Sequence, residues 1–174
     1  MLFRSVCGTT GEASTLTPEE RTLLISNAVV CCAGRCKVIA GIGTNNTAPS
    51  VRYAKQAEKA GADALLAVTP YYNKASQEGL AVHYFTIANA TSLPLIAYNV
   101  PSRTGVNLPA ETCARLSRPP RINGVKEASG NLSQVAHIRA LCGEDFYIWS
   151  GNDDQITATM SLGGKGLISV LSNV

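Results

Sequence analysis

Lys126 lies in Gly124-Val125-Lys126-Glu127-Ala128-Ser129-Gly130, where an apolar run gives way to turn residues. An amine at the end of such a run is desolvated by its walls. Desolvation lowers its pKa toward the range in which a neutral lysine attacks carbonyls. The segment reads first as the seat of a Schiff-base nucleophile, with an ordinary surface lysine at a strand end as the competing reading. Other reactive side chains offer less. Of the six cysteines, Cys31, Cys32 and Cys36 lack the paired C-x-x-C spacing of zinc sites and have no histidine nearby, while Cys7, Cys113 and Cys142 stand alone. Buried, reduced thiols and no metal site are expected. His83 and His137 fall within helical patterns and read as packing or surface residues.

The elements that must position Lys126 repeat one plan along the chain. Short apolar runs occur at Val38-Ile39-Ala40, Leu65 to Val68, Leu95 to Tyr98, Ile122 to Lys126, Phe146 to Trp149 and Gly166 to Val170. They are too short for helices and read as strands buried on both faces. Leu2, Phe3 and Val6 argue for one more strand before Cys7. Helical patterns lie between the runs. Thr17-Pro18-Glu19-Glu20 is a capping box with proline at the first helical position, and Thr47, Ser76 and Asn131 are candidate caps for later helices. Gly61 and Gly143 stand where left-handed C-terminal residues are expected.

Strands alternating with helices require crossover connections and hence a parallel sheet, either doubly wound or closed toward a (β/α) barrel. Gly41-Ile42-Gly43 is only a fragment of a dinucleotide fingerprint, so a Rossmann site is not expected. Polar residues gather after many different strands: Thr9 and Thr10, Tyr71 and Tyr72, Tyr98 and Arg103, Lys126, then Gly151 and Asn152. That distribution favours an α/β barrel of the TIM type, whose site is assembled from the C-terminal ends of most strands.

Composition sets the outer bounds. A chain of 174 residues, 45% hydrophobic and 16% charged, can bury one core, so a single domain over 1–174 is expected. A scattered net charge of +3 offers no nucleic-acid or membrane surface. No apolar stretch approaches the roughly 20 residues of a membrane span. Met1-Leu2-Phe3-Arg4-Ser5 lacks the form of a secretory signal, and a cytoplasmic protein is expected.

Gly8-Thr9-Thr10-Gly11-Glu12, Thr69-Pro70-Tyr71-Tyr72-Asn73, Tyr98-Asn99-Val100-Pro101-Ser102-Arg103-Thr104-Gly105 and Lys126-Glu127-Ala128-Ser129-Gly130-Asn131 stand in register along the chain. This series resembles the dihydrodipicolinate synthase family, of the pyruvate-dependent class I aldolase and N-acetylneuraminate lyase superfamily. The Lys-Glu-Ala and Gly-Thr-Thr-Gly-Glu patterns are shared in looser form with other pyruvate aldolases, whereas Pro-Ser-Arg-Thr-Gly points more narrowly to the synthases.

The resemblance implies a lyase of lysine and diaminopimelate biosynthesis. In it Lys126 condenses with pyruvate to an imine and then an enamine, which adds to the aldehyde of aspartate-4-semialdehyde to give 4-hydroxy-tetrahydrodipicolinate. No cofactor is implied beyond that covalent lysine imine. Tyr98 becomes the proton donor and acceptor beside the imine, in a relay with Thr10 and with Tyr72 reached across a subunit interface, so a homodimer or homotetramer is implied for a full-length protein. A phenol titrates near 10 and needs neighbours to lower it. Thr9 and Thr10 offer backbone N–H groups and hydroxyls to the pyruvate carboxylate. Arg103 suits the carboxylate of the second substrate through its planar fork. Gly151 and Ile168 line the same pocket by resemblance. Asn45 and Tyr71 match positions of an allosteric lysine site. Pro49 and Arg21 stand where inhibited members often carry a carboxylate and a histidine, so strong feedback by lysine is not expected.

By the same resemblance the chain begins at the family's second strand and stops just after the eighth. The expectation is an incomplete (β/α)8 TIM barrel of about seven strands, lacking the first βα unit and the C-terminal helical region. Such a sheet leaves two unpaired edges, and a poorly stable, inactive polypeptide is expected when it stands alone. Two other readings are another pyruvate-dependent aldolase, such as an N-acetylneuraminate or keto-sugar-acid lyase, and a non-catalytic truncated remnant.

Overall fold

The computed structural model describes residues 2–173; Met1 and Val174, the ends of the expected 1–174 domain, lie outside the described residues. The chain runs β1 (Phe3–Val6), α1 (Pro18–Cys32), β2 (Lys37–Gly41), α2 (Thr47–Lys59), β3 (Ala64–Val68), α3 (Gln77–Asn89) and β4 (Leu95–Asn99). It continues through α4 (Pro101–Thr104), α5 (Ala110–Leu116), β5 (Ile122–Glu127), α6 (Leu132–Cys142), β6 (Tyr147–Ser150), α7 (Ile156–Ser161) and β7 (Gly166–Leu167). The strands form one seven-stranded sheet in the order β1 to β7, every pair parallel. A doubly wound sheet reverses its strand order at a switch point. Here each crossover steps to the next neighbour in one direction, the winding of a barrel wall.

The two faces of that wall are legible in the side chains. Ala40, Leu65, Ala67, Leu95, Ala97, Val125 and Ile148 face the helices and join Ile25, Leu80, Tyr84, Ile87 and Ile138 in the main core. Ile39, Leu66, Ile96 and Ile168 form a smaller inner cluster, with Phe3, Tyr98 and Trp149 packed against it. Burial on both faces holds for the central strands. The outer strands β1 and β7 are only partly covered, because each has a neighbour on one side alone.

The capping box of α1 forms as its residues dictate: Glu20 N–H donates to Thr17 Oγ1 at 3.2 Å, and Thr17 N–H donates to the Glu20 carboxylate at 2.8 Å. Ser76 and Asn131 cap α3 and α6. Thr47 does not cap α2. Asn46 does so by accepting from Ala48 N–H, its carbonyl side chain being a better acceptor for that donor. Thr47, already in the first turn, ties α2 to α3 through His83 Nδ1 at 2.9 Å. Gly61 has a φ of +89°. Gly143 also has a positive φ, but its ψ of −173° leaves the left-handed helical region and sends the chain out extended toward β6.

Cys7, Cys32 and Cys113 are buried free thiols, Cys36 and Cys142 are partly buried, and Cys31 is exposed, since it sits on the outer surface of α1. His83 is buried in α3, where desolvation holds its imidazole down at about 4. No helix among the described residues is long and apolar enough to cross a membrane.

Candidate active site

An irregularity in β5 aims the lysine. Leu95 pairs with Ile122 and Ile96 with Gly124, so Asn123 is an extra residue in the ladder. Ile122 faces the helices; after the extra residue, Val125 and Glu127 take that side and Lys126 turns to the inner face. Bulges of this kind re-aim side chains next to sites. The register then sets Tyr98, Lys126 and Trp149 side by side on β4, β5 and β6. Gly124 keeps the wall open for this row, since a Cβ there would meet Trp149 Cζ3 at 2.6 Å.

Lys126 is 8% exposed, and its Nζ lies 4.3 Å from the centroid of the Tyr98 ring. Burial pulls the amine down to about 8, with the Asp153 carboxylate acting in the opposite sense. Gly151, directly after β6, leaves the space the side chain occupies. A Cβ there would meet Ala128 Cβ at 2.7 Å and Lys126 Cε at 2.9 Å. A buried amine that loses its proton near neutral pH is a competent nucleophile toward a carbonyl.

The strand behind Lys126 is fixed by a buried polar network. The Glu127 carboxylate accepts from Asn99 Nδ2 at 3.0 Å, Gln134 Nε2 at 3.0 Å and Ser129 N–H at 2.7 Å. Asn107 joins it, accepting from Asn99 Nδ2 at 2.9 Å and donating to Gln134 Oε1 at 2.7 Å. The ends of β4 and β5, which carry Tyr98 and Lys126, are thereby locked to each other and to α6.

The other expected residues all sit at the C-terminal end of the sheet. Thr9 and Thr10 lie exposed on a 3-10 turn after β1. Ile168 follows β7 in the inner cluster, its N–H donating to Ser150 O at 2.9 Å. Arg103 is exposed on α4. Tyr71 and Tyr72 follow β3; Tyr72 is 88% exposed, with a φ of +72°. Asn45, after β2, is joined to this loop because Asn73 Nδ2 donates to its carbonyl at 3.0 Å. Arg21 is occupied elsewhere, buried against the Tyr53 ring and donating to Gly41 O and Ala13 O.

One expectation changes. Burial raises the Tyr98 phenol rather than letting it fall, with the Arg103 guanidinium opposing. Within one chain no hydrogen bond joins Tyr98 to Thr10 or Tyr72 among the described residues; Tyr72, read above as acting across a subunit interface, projects outward. Asp153 and Trp149 belong to the site and carry no motif. Their signal was position, at and just after the end of β6, the same rule that singled out Gly151. Among the described residues no group of three or more His, Cys, Asp or Glu side chains is placed to hold a metal ion.

The model described as the dihydrodipicolinate synthetase family matches residues 5–174. The chain belongs to that family. A 4-hydroxy-tetrahydrodipicolinate synthase from Alkaliphilus oremlandii is 57% identical over 169 residues, 97% of this chain and 58% of that protein. The chloride-inhibited dihydrodipicolinate synthase from Acinetobacter baumannii, solved in complex with pyruvate, superposes with a TM-score of 0.96 at 44% identity, over 99% of this chain and 59% of that one. The enzyme from Cyanidioschyzon merolae, solved with lysine bound, gives 0.95 at 44% identity, over 98% and 58%. The chain thus spans less than two thirds of the length of these members of the dihydrodipicolinate synthetase family.

Proposed function

We propose that this chain carries the pyruvate-condensing centre of a 4-hydroxy-tetrahydrodipicolinate synthase. The observation that carries the reading is Lys126, a buried amine titrating at about 8 on the inner face of the sheet, packed against Tyr98 and given room by Gly151. Its neutral form attacks the keto carbon of pyruvate and loses water to form an imine. Loss of a methyl proton gives the enamine, whose carbon adds to the aldehyde of aspartate-4-semialdehyde. No cofactor is needed, because the protonated imine is itself the electron sink.

Tyr98 stays protonated at neutral pH and supplies a proton beside the imine. Thr10, and Tyr72 from a second copy of the chain, complete the relay in an oligomer; the exposed Tyr71-Tyr72 pair supports that arrangement. The Thr9-Thr10 turn receives the pyruvate carboxylate, and Arg103, free of ion pairs among the described residues, receives that of the second substrate. Asn45 and Tyr71, linked through Asn73, form the candidate lysine-responsive site.

Borohydride reduction in the presence of pyruvate tests the reading. The expected result is a stable adduct on the peptide holding Lys126, absent from Lys126→Ala. An unmodified peptide spanning Gly124 to Gly130 sinks the proposal.

A further inference from the structure

At the opposite end of the sheet from Lys126, the end of α1 and the start of β2 bring two thiols together. Cys32 is the last residue of α1 and Cys36 immediately precedes β2. The turn between them doubles back through Ala33 and Gly34, with φ of 47° and +74°. Cys36 Sγ lies 3.2 Å from Cys32 Sγ, and both thiols are free. A bond of about 2.05 Å would require sulfur movement of roughly 1 Å. Arg35 within the turn donates to Cys31 O at 2.6 Å and Cys32 O at 3.2 Å, which holds the turn closed. Arg35 and Arg4 place positive charge beside the Cys32 sulfur.

We propose that Cys32 and Cys36 form a reactive dithiol site that is oxidised to an intramolecular disulfide by small anionic disulfides such as oxidised glutathione. The two sulfurs have distinct roles. The hydrogen bond shared with Cys36, then burial, hold the Cys32 thiol above its ordinary range, and Cys32, the more buried of the two, is the slower attacker. Cys36 is the more accessible thiol. Its thiolate attacks one sulfur of the oxidant and expels one glutathione thiolate, leaving a mixed disulfide. Cys32 then attacks Cys36 Sγ and expels the second glutathione. Two electrons pass to the oxidant, the protons of the two protein thiols end on the two released glutathiones, and one protein disulfide forms. The arginines favour the anionic oxidant over a neutral one. Nothing in this chemistry depends on Lys126 or on pyruvate.

The 174-residue protein is treated with oxidised glutathione, alkylated and mapped after trypsin. Two of the six thiols are expected to escape alkylation. Cleavage after Arg35 opens the loop, so the bridge appears as the peptides Thr22–Arg35 and Cys36–Lys37 joined through sulfur. Cys31→Ser should leave this bridge intact, and Cys32→Ser should halt at a glutathione adduct on Cys36. Six alkylated thiols, a bridge that survives Cys32→Ser, or a bridge between two chains would each overturn the proposal.

Discussion

Two opposed influences set the protonation of Lys126. Burial disfavours the ammonium and the Asp153 carboxylate favours it, leaving the amine at about 8. At pH 7 roughly a tenth is then neutral, on the order of 100-fold more than for a solvated lysine titrating near 10.4. Adduct formation with pyruvate should therefore rise with pH through about 8. Removing the carboxylate takes away a negative charge that holds the proton on, so Asp153→Asn should move the profile to lower pH and speed trapping at pH 7 by roughly two- to tenfold. Initial rates of borohydride trapping across pH measure this; a profile that stays put or moves upward contradicts the assignment. Lys126 was legible in the sequence because an apolar run delivers it to a turn. Asp153 was legible only by its position just after β6, because an acidic residue in a polar loop looks solvated until the fold brings its charge near the amine.

Strand β5 shows how far element-level reading reaches. Its apolar composition located it within a residue, and Ser76, Asn131 and Thr17 gave their helix starts. The extra residue Asn123 left no trace, since a bulge is a property of pairing with β4 and not of local pattern. The network behind β5 was equally hidden: Asn99, Asn107 and Gln134 come from different segments and meet only around Glu127. Glu127 is 4% exposed, with amide donors converging on its carboxylate. Glu127→Ala strands those donors, each costing about 1–3 kcal/mol when buried and unpaired. A loss of roughly 2–4 kcal/mol is expected once relaxation is allowed for, read as a lower urea midpoint, together with slower trapping as β5 loses its registration. Unchanged stability would mean that the network is ornamental to the fold.

At the scale of the molecule, the winding direction was legible because chemistry-bearing residues followed nearly every strand, a distribution a single switch-point crevice does not produce. The sequence pattern alone could not say how the outer strands are covered. Among the described residues, β1 pairs only with β2 and β7 only with β6, so each presents unpaired backbone N–H and C=O groups. Arg4 and Ser5 on β1 are exposed; Phe3 turns inward onto the cluster of Ile39, Leu66, Ile96 and Ile168, and Ser5, two residues on, shares its face. Unprotected edges of this kind invite strand addition by a second chain. The 174-residue polypeptide should therefore self-associate at roughly micromolar to millimolar concentration. Light scattering coupled to size exclusion should give an apparent mass that climbs with loading. Ser5 is exposed and pairs with Ile39 on the face that carries Phe3, so Ser5→Lys puts an inward-pointing charge on the β1 edge, and it should shift the onset of association to higher concentration. A single monomeric species at every loading, unfolding in one cooperative step, would show that the edges are already protected and that the sheet is stable as it stands.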